Sequence, residues 1–254
     1  MNIKPELKMN TETTPIIHLE EVDSTNTYMR NLLRSQKVKE GTTISADFQS
    51  AGRGQRGNSW ESRRGENLSF STILFPRFLE PSGQFIISQC VALAVKDVLT
   101  EYTPDIKIKW PNDIFWRKQK ICGILIENDL EENRIVRSIV GIGININQES
   151  FDCVAPYSPA SLAQILEKKQ DRMQILTKVV NKIMEYFDKI KKGETETIAQ
   201  KYKQDLFSTG QFHDASGDFE ATIKDILPSG HLVLSDADNK LRYYAFKDVS
   251  FVID

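Results

Sequence analysis

The chain has 254 residues, 40% of them hydrophobic and 27% charged, with a formal net charge of −2. That length accommodates one large domain or a large domain with a small companion. The near-neutral balance excludes the global basic field of a general nucleic-acid binder.

The first fourteen residues are polar, lack the apolar core of a signal peptide and read as a flexible N-terminus. Residues 15–20 read as a strand. Asp23, Ser24 or Thr25 can then cap a helix that places Tyr28, Met29, Leu32 and Leu33 on one face. Strands are expected at 42–48 and 67–75. Between them lies a loop in which Gly52, Gly54 and Gly57 alternate with Arg53 and Arg56, followed by Trp60. Glycines let backbone N–H groups converge on one point and arginines add permanent positive charge, so the segment suits a phosphate or a carboxylate. Its glycines satisfy G-x-G-x-x-G literally. Residues 58–65 lack a helical apolar stripe, however, and a dinucleotide site needs a helix to start there.

Pro81-Ser82-Gly83 is expected to open a deeply buried helix reaching Leu99. Residues 106–109 alternate Ile106 and Ile108 with Lys107 and Lys109, a half-buried strand that Pro111 ends. A hairpin is predicted from 120–127 and 134–146, with Gly141 and Gly143 inside its second strand, where a ligand or another backbone approaches closely. From Asp171 apolar residues recur at helical spacing until Gly193, and a second helix is expected over 195–206. Beyond Phe207 the runs 219–226, 231–234, 236–239, 241–246 and 249–253 suggest a small barrel. No run reads as a membrane span. Cys90, Cys122 and Cys153 are widely spaced and without a C-x-x-C, which argues for a reducing cytoplasm. The scattered His18, His213 and His231 give no zinc pattern.

Four segments combine polarity or glycine with a core-like context: Ser24-Thr25-Asn26, the glycine-arginine loop, Lys109 through Asp113, and Gly141 through Asn145. Each also has a plain structural role, as a helix cap, a mobile loop, a strand-ending turn or a relief of crowding. Lys109 is the hardest to dismiss: between Ile108 and Trp110 it is either a solvated side chain or a point charge aimed into a pocket.

Together with Lys120-Ile121-Cys122-Gly123-Ile124-Leu125-Ile126-Glu127, these segments resemble the ordered motifs of biotin–protein ligases: STN, Q-x-A-G-R-G-x-x-G-x-x-W from Gln49 to Trp60, KWPND, K-x-x-GIL-x-E and GxGIN. Those enzymes activate biotin with ATP and attach it to a lysine of a biotin carboxyl carrier protein. The resemblance covers about residues 16–254. It implies an α+β fold: a mixed-sheet catalytic domain of the biotin/lipoate ligase type over 15–206 and a small SH3-like β-barrel over 207–254. By the same resemblance Lys109 and Arg53 are catalytic, and Ser24, Thr25, Asn26, Gln49, Gly52, Arg53, Gly54, Gln55, Lys109, Gly123 and Gly141 surround biotin. ATP is implied to meet Arg53, Arg56, Trp60, Lys109 and Asn145, with Mg²⁺ on its phosphates and no metal held by the protein itself.

Two positions depart from the family. Gln55 and Asn58 are neutral where many members are basic, which implies a weaker hold on the adenylate unless Arg56, Arg63 or Arg64 compensates. Only about fifteen residues precede the first strand, too few for the DNA-binding module of some members, so no nucleic-acid partner and no membrane are expected. Lipoate–protein ligase is the nearest alternative activity and a non-catalytic biotin-binding protein is another; the loop with its tryptophan and KWPND favour biotin. Edge strands leave open pairing with the carrier or, as a homodimer, with a second copy.

Overall fold

The structure is a computed structural model that describes residues 7–8, 14–151 and 157–253, without the side chains of residues 7, 8 and 56. The expected flexible segment 1–14, apart from residues 7, 8 and 14, lies outside the described residues, and so does Cys153.

In chain order the elements are β1 (Leu7–Lys8), β2 (Ile16–Val22), α1 (Thr25–Ser35), β3 (Thr43–Gln49), β4 (Leu68–Leu74), α2 (Phe85–Thr100), β5 (Ile106–Lys109), β6 (Asp113–Trp116), β7 (Gln119–Glu131), β8 (Arg134–Ile144), α3 (Leu162–Leu166), α4 (Arg172–Lys191) and α5 (Thr195–Gln204). β9 (Gln211–Asp214), β10 (Gly217–Ile226), β11 (Leu232–Asp236), β12 (Leu241–Tyr244) and β13 (Ser250–Phe251) follow. The fold is α+β. One mixed sheet has the order β1-β2-β3-β4-β8-β7-β6-β5, with β2 and β3 parallel. A second sheet at the C-terminus, β12-β11-β10-β9-β13, is antiparallel.

The large sheet is covered on both faces. On one, α1 packs Met29 against Ile44, Ile73 and Ile139, one each from β3, β4 and β8. On the other, α2 is buried around nearly its whole girth between β5, β6, α4 and α5. By length and composition alone Pro81–Thr100 is apolar enough to cross a membrane, unlike the sequence expectation. It is instead the central core helix, with Ile87, Leu93 and Val95 wholly buried.

Several local expectations are corrected. Pro81–Gly83 forms a single 3-10 turn ahead of α2 rather than its first turn. The KWPND segment does not simply end a strand: the Trp110–Pro111 bond is cis and the chain reverses, so that Asp113 pairs with Lys109 at the start of β6. The short helix α3 went unread because five residues carry too little periodicity; its cap is a reciprocal box between Ser161 and Gln164. In the C-terminal sheet the first strand is β9, while 236–239 is a turn in which Asp236 Oδ1 accepts from the Asp238 and Lys240 N–H groups. An aspartate that satisfies its own turn competes with strand pairing.

The two sheets are joined by specific contacts. The Phe207 N–H donates to the Ile108 carbonyl, extending the edge of β5 (2.8 Å). The Trp110 indole N–H donates to the Gly230 carbonyl at 3.0 Å, and the Phe246 ring lies 5.4 Å from Trp110 and 6.1 Å from Phe85. Phe246→Ala should therefore lower stability by about 2 kcal/mol, less than a fully buried ring because it is half-exposed, as read by urea denaturation.

Candidate active site

On the α1 face of the large sheet, a cleft of about 1020 Å³ opens between the sheet, the glycine-arginine loop and the C-terminal sheet. Its floor is set by three glycines. Gly123 and Gly143 face each other across β7 and β8, and Gly141 lies two residues from Gly143 on the same face. A Cβ at Gly141 would collide with the Asn26 amide, and one at Gly143 with the Trp60 indole. A Cβ at Gly123 would sit 3.1 Å from Trp60 Cζ3. Bare backbone here lets two polar or aromatic groups lie directly on the sheet.

One end of the cleft is a neutral hydrogen-bonding lobe. Ser24, Thr25 and Asn26 are buried at the start of α1, with Ser24 as the N-cap, although its own hydroxyl caps nothing. The Thr25 N–H and hydroxyl both donate to Gln49 Oε1, at 2.8 and 3.1 Å. The Ser71 hydroxyl lies 2.7 Å from Thr25 Oγ1 and 2.5 Å from Asn26 Oδ1, and its single proton serves one at a time. Asn26 Nδ2 donates to Glu127 Oε2 at 2.7 Å.

The other end is cationic. Lys109 is only 6% exposed, and its ammonium lies over three rings: Tyr157 at 4.4 Å, Phe251 at 5.0 Å and Phe115 at 5.7 Å. Burial lowers its pKa from 10.5 to about 8, against the opposing pull of Asp113, while Lys120 lowers it further. Lys120 Nζ is 2.7 Å from Asp113 Oδ1 and 5.8 Å from the Trp60 ring. Burial, reinforced by Asp113, pushes the Cys122 thiol well up, so that side chain behaves as a small hydrophobe.

Of the residues predicted from sequence, the cleft gathers Ser24, Thr25, Asn26, Gln49, Arg53, Gly54, Gln55, Trp60, Lys109, Gly123, Gly141 and Asn145. Gly52 stands behind the wall, packed on the Trp60 carbonyl and the Gln49 amide. The side chain of Arg56 lies outside the described residues. Arg64 is turned away, donating to the Glu20 carbonyl, paired with Glu21 and stacked on Phe48.

Sequence reasoning missed other groups, of which Asp113, Lys120, Tyr157 and Phe251 line the cleft while Ser71 and Glu127 stand behind its wall. Ser71 was visible as a polar residue, beside Ser69, inside an apolar strand. Lys120, Asp113 and Glu127 stood within recognised motifs without an assigned place. Tyr157 and Phe251 gave no local signal, since only tertiary packing brings them to Lys109.

Residues 19–145 match the Biotin/lipoate A/B protein ligase family. The chain belongs to that family. Its relatives include a bifunctional ligase/repressor BirA of Bacillus spizizenii, 36% identical over 151 residues, 58% of this chain and 46% of that one. Another is biotin–protein ligase 2 of Arabidopsis thaliana, 29% identical over 223 residues, 80% of this chain and 64% of that one. The chain thus spans about half the length of the bacterial relatives it matches. A biotin protein ligase from Aquifex aeolicus, solved with biotin and ATP, is 28% identical with a TM-score of 0.76 over 94% of this chain and 99% of that one.

The family member's buried lysine carries a stability cost. In the unfolded chain Lys109 titrates near 10.5 and in the folded chain near 8. Charging it within the fold therefore opposes folding, by at most about 3 kcal/mol before the three rings offset part of it. The penalty is full below pH 8 and disappears as pH rises to 10.5. Lys109→Met should thus gain about 1–2 kcal/mol at pH 7, with the gain fading as pH rises from 8 to 10.5, as measured by denaturant unfolding across pH.

Proposed function

We propose that this protein activates biotin with ATP to biotinyl-5′-AMP and transfers the biotinyl group to a lysine of a biotin carboxyl carrier domain in the cytoplasm. The carrying observation is the division of one cleft into a neutral lobe and a cationic lobe joined by a glycine floor. A bicyclic urea offers one carbonyl acceptor and two N–H donors, which suits the Thr25, Asn26, Gln49 and Ser71 groups. A carboxylate and a triphosphate suit the lobe of Lys109 and Lys120, with Arg53 on the loop that also lines the cleft. The relatives named biotin–protein ligase, and the Aquifex aeolicus enzyme solved with biotin and ATP, support the same reading.

In the first step a biotin carboxylate oxygen attacks the α-phosphorus of ATP and pyrophosphate leaves. Two anions repel each other, so the cations around them supply both the approach and the stabilisation of the phosphorane-like transition state. Lys109 is placed for this, since its ammonium is desolvated and its charge is therefore little screened. In the second step the carrier lysine amine attacks the acyl carbon, an amide forms and AMP departs. No enzyme-bound acyl group is required. In this scheme Mg²⁺ arrives as part of the ATP substrate, on its phosphates.

The glycine-arginine loop covers the cleft mouth and shields the mixed anhydride from water. Trp60 meets adenine in this reading, and without a ligand its ring rests on Gly143 with its indole nitrogen unpaired. The C-terminal sheet supplies Phe251 to the box around Lys109, which gives that sheet a part in adenylation.

Biotin-dependent exchange of labelled pyrophosphate into ATP, with lipoate and octanoate in parallel, tests the activity. Exchange with biotin alone is expected. Exchange with lipoate instead would move the assignment to lipoate ligation, and none at all would leave a binding protein. Trp60→Ala should raise the KM for ATP more than that for biotin; the reverse order would remove Trp60 from the nucleotide site. Biotin with ATP should also slow proteolysis within residues 50–65.

A further inference from the structure

Arg53 does not reach into the cleft unaccompanied. Its guanidinium donates to both oxygens of Glu127, Nη1 to Oε1 at 3.3 Å and Nη2 to Oε2 at 3.1 Å. Glu127 projects from β7 on the face shared by Gly123 and Leu125, two residues beyond the glycine floor. The same carboxylate accepts the Asn26 amide at 2.7 Å and lies 3.6 Å from Arg30 on α1. Arg30 in turn pairs with Asp129 at 3.0 Å, and Asp129 with Arg137 at 3.3 Å. An alternating ladder of charge, Arg53–Glu127–Arg30–Asp129–Arg137, therefore runs from the loop across the sheet.

Glu127 is the one member that touches both Arg53 of the loop and Asn26 of the neutral lobe. Its hold on Nδ2 turns the Asn26 amide so that Oδ1 faces Ser71. Reversal of that amide would set Oδ1 against the carboxylate, a repulsive contact. Its two bonds to Arg53 use two of five guanidinium N–H groups and leave the others for an anion. They also tie the glycine-rich loop, otherwise closed by the Arg53–Ser59 bridge, to rigid sheet.

We propose that Glu127 is a positioning residue for the adenylation site: it seats Arg53, and with it the loop, over the cleft, and it fixes the orientation of the Asn26 amide in the cleft wall. This rests on the biotin-activating reading above. The two duties separate chemically. Glutamine at 127 retains an acceptor for Asn26 but loses the charge that holds Arg53, whereas alanine loses both.

The test uses the full chain with Glu127→Gln, Glu127→Ala, Arg53→Gln and the double variant Arg53→Gln/Glu127→Gln, each checked for unchanged thermal unfolding. Glu127→Gln should lower kcat of pyrophosphate exchange about ten-fold with the biotin KM within about two-fold, as expected of a lost charge-assisted contact. Glu127→Ala should in addition raise the biotin KM about ten-fold. The double variant should have the kcat of Arg53→Gln alone, because residues acting through one contact are not additive. Chymotryptic cleavage at Trp60 in the ligand-free protein should be about three- to five-fold faster in Glu127→Gln, the scale of a partly exposed ion pair. Identical kinetics in the two Glu127 variants, additive losses in the double variant, or wild-type loop cleavage would each overturn the proposal. If Glu127→Ala does not fold, Glu127→Gln and the double variant carry the test. If the wild-type protein shows no biotin-dependent exchange, the functional reading falls, while ligand-free cleavage still decides whether Glu127 tethers the loop.

Discussion

The rest of the site depends on a patch of sheet with no side chains. Gly123 and Gly143 oppose each other and Gly141 follows on the same face, so the surface between β7 and β8 is bare backbone. Backbone hydrogen bonds of the ladder keep that patch flat and rigid while its missing Cβ atoms leave depth. Asn26 and Trp60 fill part of that depth, one from a helix start and one from a loop. A single methyl group on either β8 glycine would push one of them off the floor.

Around that patch the molecule places polar groups where an ordinary core would place apolar ones. Thr25, Asn26 and Ser71 are buried, and each remains tolerable because it is hydrogen-bonded to another of them or to the half-buried Gln49 amide. The cationic lobe follows a different rule. Among the described residues no carboxylate forms an ion pair with Lys109, which is held by ring faces instead, so its charge is kept reactive rather than neutralised. A site that concentrates partly compensated positive charge away from water gives up stability for that field, a common arrangement where anions must be brought together.

Periodicity made the framework readable. The apolar runs at 42–48 and 67–75, the apolar girth of 85–99 and the helical stripe after Asp171 correspond to β3, β4, α2 and α4 within a residue or two at most boundaries. Short elements escaped it: β6 spans four residues and α3 five, too few for either period to stand out from a turn. The run 236–239 misled for a local reason, because Asp236 bonds to its own turn.

The sequence by itself determined which residues could do chemistry here. Glycines inside a strand, a lysine among isoleucines and tryptophan, and arginines among glycines are each costly unless a ligand or close packing requires them, and such costs are visible residue by residue. What only the tertiary structure decided is which of these groups act on each other. Phe251 and Tyr157 reach Lys109, and Glu127 reaches Arg53 and Asn26, across separations of 48 to 142 positions in the chain that carry no local signal. Burial and charge pairing are properties of the assembled surface, so the lowered pKa of Lys109 and the seating of Arg53 arise only once two sheets and a loop enclose one cleft.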